Sequence, residues 1–154
     1  MSRSFGLDAP AALEALRSAV ERFKEDDLDV ELARDCAGKA WHLCDHVFMA
    51  LGTNSVFGKL RVLQEHVREA CPELAYLQDI CIESKHAQIT MYTPRIDAAR
   101  VHVGDFSRED FSSDDFDTSR LEIVLHGGRA VSFNNVVDRA VEFWSDFMEA
   151  HGIR

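Results

Sequence analysis

At His86 the hydrophobic period of this chain changes. Before it, apolar residues recur three and four apart, the spacing of one face of an α-helix; after it they recur every second residue, as on one face of a β-strand. Ala87, Ile89 and Met91 alternate with Gln88, Thr90 and Tyr92. A helical period will not settle into a sheet, nor a strand period into a helix, so the switch divides the fold. It predicts an α+β protein, mostly helical: an antiparallel four-helix bundle over about 9–86, a small antiparallel β-meander or hairpin over about 87–133, and a closing C-terminal helix over about 135–151. No repeat or long linker interrupts the 154 residues, so a single domain is expected.

The first helix is expected from Ala9 to Lys24, capped by Asp8, with Pro10 in the first turn and a stripe of Leu13, Leu16, Val20 and Phe23. The second is expected from Asp29 to Leu51. Its apolar arc is the widest, spanning Leu32, Cys36, Ala40, Leu43, Cys44, Val47, Phe48 and Leu51, which makes it the central helix. Asp35, His42, His46 and Met49 gather on its other face, with Asp45 at the margin. Ser55 is expected to cap a third helix from Val56 to Cys71, and Pro72 to introduce a fourth ending at Lys85. Beyond the first strand, Val101 and Val103 start a second. Leu121, Ile123 and Leu125 start a third, and Gly127-Gly128 forms a two-residue hairpin turn into Ala130–Phe133. Asn134 or Asn135 caps the last helix, whose apolar face includes Val137, Ala140, Trp144, Phe147 and Met148.

Charge narrows the functions. The chain holds 27 Asp and Glu against 17 Lys and Arg, a net charge of -10, which repels phosphate backbones at long range. Thirteen of the 17 cations are Arg, suited to planar, bidentate contacts rather than a diffuse basic surface. Cys36, Cys44, Cys71 and Cys81 form no C-x-x-C and read as buried free thiols of a reducing, cytoplasmic compartment. Residues 1–10 lack the apolar core of a signal peptide, and no apolar run nears the roughly 18 residues of a membrane span. P-loop, dinucleotide-binding and nucleophile-elbow signatures are absent.

Four constellations can carry chemistry. His42 and His46 lie one turn apart beside Asp45, and Glu83-x-x-His86 has a metal-ligand spacing of its own. His42, His46, Glu83 and His86 therefore form a candidate divalent transition-metal set, against a plain polar face. Lys85 and His86 end the fourth helix, where cations favour the helix dipole. Facing His42 and Asp45 across a groove, they would instead serve as anion clamp and general acid–base. Arg61 and His66, four residues between them, form a ribonuclease-like pair; Arg95…His102 and Arg120…His126 are looser versions, at a frequency that chance spacing alone produces. The Asp114-Asp115-x-Asp117 run, inside an acidic loop over 107–119, lacks the Gly and final Glu of a calcium loop.

Three segments together resemble a group of small uncharacterised bacterial proteins: Ala40-Trp41-His42-Leu43-Cys44-Asp45-His46-Val47-Phe48, Asp79-Ile80 followed by Ser84-Lys85-His86, and Ala140-Val141-Glu142-Phe143-Trp144. That group is similar to the HEPN helical bundles of toxin–antitoxin and phage-defence systems. The resemblance implies a helical dimer and, in catalytic members, an Arg and a His per subunit at a composite RNA-cleaving site. Gln78 stands where an Arg would help, and Val62 follows Arg61 where a polar residue is usual. With those departures the resemblance implies a non-catalytic interaction or defence module, homodimeric, with a protein partner and no cofactor. The alternatives are a metal-independent ribonuclease acting on RNA through His86 or His66 with Arg61, and a metal-binding bundle.

Overall fold

A computed structural model describes residues 8–52, 54–82, 87–92 and 119–154. Helices α1 (Ala9–Glu25), α2 (Val30–Leu51), α3 (Leu60–Ala70) and α4 (Pro72–Cys81) precede strands β1 (Ala87–Tyr92), β2 (Arg120–Leu125) and β3 (Ala130–Ser132), and α5 (Phe133–Ala150) ends the order. The fold is α+β and mostly helical, as the change of period implies. The expected strand at Val101 and Val103, the acidic run, and Glu83 to His86 lie outside the described residues.

Local chemistry starts the first two helices. Asp8 Oδ1 accepts from Ala11 N at 2.8 Å, with Pro10 in the first turn where no donor is missed. Asp29 Oδ1 accepts from Glu31 N and Leu32 N at 2.8 and 3.1 Å. Helix α3 departs from expectation. It begins at Leu60 after an extended Lys59 that makes no side-chain cap bond, because Gly58, at φ +66°, turns the chain first. Ser55 caps nothing; its Oγ is buried and finds no partner among the described residues. Cys71 lies between α3 and α4 rather than within either, and Pro72 takes the first position of α4.

The strands form one antiparallel sheet in the order β1-β2-β3, with Ile89 opposite Ile123 and Ile123 opposite Val131. The β2–β3 connection spans three residues rather than the expected two. Leu125 N donates to Arg129 O at 2.8 Å, which leaves His126, Gly127 and Gly128 as the turn, both glycines at positive φ. Phe133 does not extend β3. It opens α5, whose N-cap position is Ser132 rather than an asparagine.

Helix α2 is central, packing against α1, α3, α4 and α5. Side-chain pairs fix the directions. Arg22, late in α1, pairs with Asp35, early in α2, at 3.7 Å, so these two run antiparallel. Lys24 meets Asp138 at 2.6 Å and Arg17 Nη2 meets Ser145 Oγ at 3.2 Å, so α5 runs antiparallel to α1. Asn134 reaches Asp27 at 3.4 Å, and the buried Trp144 Nε1 donates to Ala40 O at 2.9 Å, so α5 lies parallel to α2. The last helix thus does more than close the sheet: it is a full member of the bundle. Its Trp144 and Phe133, with Phe23, Leu16, Leu43, Leu63, Leu74 and Leu77, are completely buried in one core. Each such side chain contributes about 1.5–3 kcal/mol of transfer free energy. No helix among the described residues is long and apolar enough to cross a membrane.

Candidate functional site: a cleft between the first two helices

Residues 35, 39, 42 and 46 of α2 recur at spacings of four, three and four, which stacks them on one face. That face borders α1, where Ala12 and Ala15 are too small to fill the gap. The result is a cleft of about 390 Å³ lined by Ala12, Ala15, Arg34, Asp35, Gly38, Lys39, His42 and His46. Two alanines and a glycine are the small residues of its lining. The carboxylate of Asp35 is engaged by Lys39 and by Arg22, and Arg34 pairs with Glu31 at 3.6 Å. Gly38 is helical, and a Cβ built on it meets nothing within 4 Å, so the cleft is open above it. Asp45 and Met49 stand exposed beside this face and do not line it.

Helices α2 and α4 are neighbours, as the sequence reading of a shared site required. They meet at an unexpected residue. Cys81 Sγ lies 3.8 Å from His42 Nε2, a weak thiol–imidazole contact at the end of α4. Lys85 and His86 follow a few positions on, outside the described residues, as does Glu83. Of the proposed metal set only His42 and His46 are therefore placed. Among the described residues no three His, Cys, Asp or Glu side chains gather as metal ligands.

All four cysteines are free thiols. Three are wholly buried, and burial pushes Cys36 and Cys71 up to about 11 and Cys44 up to about 12. The nearby carboxylates of Asp35 and Asp45 push Cys36 and Cys44 further in the same direction. Cys81 is only half-buried, and burial raises it too.

The Arg61–His66 pair does not converge. Five positions apart on α3, the two side chains point about 140° away from each other around the helix. Arg61 is exposed and pairs with Glu65 at 4.0 Å, whereas His66 packs against Phe57 with ring centroids 5.2 Å apart. Arg120 opens β2 and His126 follows its last residue, about 20 Å away along an extended strand. Arg95 and His102 lie outside the described residues.

Two features escaped the sequence reading. His66 and His151 flank a cluster of Phe57, Phe143 and Phe147; His151 stacks on Phe147 at 4.1 Å and its Nδ1 lies 2.9 Å from Phe147 O. The available signal is the four-residue spacing of 143 and 147 on α5, continued at 151, just past its end, by a histidine instead of an apolar residue. The second is Arg68, whose guanidinium lies 5.8 Å from the Trp41 ring centroid and donates to Gln78 Oε1 at 3.2 Å. Gln78, noted as a departure from the ribonuclease-like pattern, thus ties α3 to α4. Compared with known proteins, the chain matches no family model, no curated sequence and no solved structure.

Proposed function

We propose that this protein is a non-catalytic helical interaction module, working as a homodimer in a bacterial interaction or defence setting in the cytoplasm, with the α1/α2 cleft as its recognition surface. The observation that carries the reading is the cleft itself: polar side chains gathered around a gap that three small residues leave unfilled. The divergence of Arg61 and His66 on α3 favours binding over RNA cleavage within one subunit. The exposed Met49, Val56 and Ile82 offer apolar area to a protein partner, a second copy included.

The test pairs a Gly38→Phe variant, which fills the cleft from a position with free space, with the unmodified protein. Light scattering reads the oligomeric state, and capture from a bacterial lysate reads the partner. Loss of a specific partner in the variant, with an unchanged melting temperature, supports the reading. Equal capture by both proteins removes the cleft from it. Degradation of total RNA that disappears in His66→Ala overturns the non-catalytic assignment and restores the ribonuclease alternative.

A further inference from the structure

The lining of the cleft has a chemical bias opposite to that of the chain as a whole. The chain carries 27 acids against 17 Lys and Arg, yet the polar lining holds Arg34, Lys39, His42 and His46 against the single carboxylate of Asp35. That carboxylate is already engaged by Lys39 and Arg22. Arg34, paired with Glu31, and Lys39, held on Asp35, each keep further N–H groups, and an imidazole offers an N–H in either charge state, so four side chains can donate while the acceptor capacity of Asp35 is largely used. Ala12, Ala15 and Gly38 give the lining an apolar part that admits the body of a ligand rather than its charge. A volume of about 390 Å³ lies within the range of small-molecule sites, which run from about 300 to 1,000 Å³.

We propose that the cleft binds a small organic anion, with its carboxylate or phosphate oxygens held by Arg34, Lys39, His42 and His46 and its carbon skeleton lying over Gly38. This rests on the reading of the cleft as a recognition surface and adds the ligand class. Mid-helix glycine then has a purpose, because any Cβ at 38 would project into the space the skeleton occupies. Arg34 supplies the planar, bidentate geometry that suits such oxygens, and Lys39 a point charge.

The experiment is a titration of the uniformly ¹⁵N-labelled full chain at constant ionic strength, set with chloride. The probes are glutarate, inorganic phosphate and the neutral glutaramide. Saturable shifts at the amides of Gly38, Lys39, His42 and His46 with glutarate or phosphate, and none with glutaramide, are expected; the stronger of the two anions identifies the head group. Arg34→Gln and His46→Gln, each with an unchanged melting temperature, should weaken the better anion about tenfold. Shifts that follow chloride alone mean an adventitious ion only and overturn the proposal. Equal shifts with glutaramide overturn the anion preference and leave the cleft as a binding surface. No shift with any probe, alongside a partner lost in Gly38→Phe, also sinks the small anion and leaves the interaction module standing.

Discussion

Gly38 sits inside a 22-residue helix, where glycine is about 1 kcal/mol less favourable than alanine because the unfolded chain has more freedom to lose. Nothing in the fold requires it: its φ is helical and an added Cβ meets open space. Gly38→Ala should therefore stabilise the protein by about 1 kcal/mol, seen as a rise of roughly 2–4 °C in melting temperature. A fall would mean that the helix needs the glycine for packing, and the cleft would lose its rationale. The cysteines give a second measure at this scale. Cys36, Cys44 and Cys71 have no exposed surface, whereas Cys81 is half-buried beside His42. Titration of the native protein with an aromatic disulfide reagent should show one accessible thiol, abolished by Cys81→Ser, and three more only after unfolding. Two or more fast thiols in the native state would contradict the packing around α2.

Helix ends test a different level of the structure. Asp29 satisfies two backbone donors of α2 with one carboxylate oxygen, so Asp29→Ala should cost about 1 kcal/mol in denaturant unfolding. Helix α3 has the opposite defect: Lys59 holds the extended backbone of an N-cap but supplies no acceptor. Lys59→Ser should gain about 0.5–1 kcal/mol, and no gain would show that water already satisfies those amides well. These ends also show what was legible. Asp8, Pro10, Asp29 and Pro72 act through neighbours within four residues, so the starts of α1, α2 and α4 could be read within a residue. The start of α3 could not, because Ser55 and Lys59 compete for it and a positive φ at Gly58 decides between them. From sequence Phe133 reads as strand, because it is apolar and follows one. It belongs to α5 because its ring packs edge-on against Phe23 at 5.0 Å, a tertiary contact with no local signature.

For the whole molecule, periodicity identified the central helix and its polar face, since a wide apolar arc leaves only one face unburied. It could not say which neighbour that face would meet. The cleft exists because Ala12 and Ala15 of α1 border the same gap as Lys39, His42 and His46 of α2, and that meeting is set by packing across the bundle. The same packing places three thiols in one core and makes stability depend on alkaline pH. Unfolded, these thiols ionise near their ordinary value of 9.0; folded, burial holds Cys36 and Cys71 to about 11 and Cys44 to about 12. Below pH 9 both states keep the proton, and the thiols contribute no slope. Above it the unfolded chain releases protons that the folded chain retains, so stability falls as pH rises, until the folded thiols ionise near 11 to 12. The urea midpoint should decline across that window. Cys44→Ala removes the most strongly shifted thiol, so it should lower the midpoint at pH 7 through lost packing yet flatten the decline above pH 9. The two proteins differ at this one side chain, so the difference between the two curves isolates the thiol. Parallel curves would mean that Cys44 ionises as readily in the folded chain as in the unfolded one, and that the core around α2 admits water.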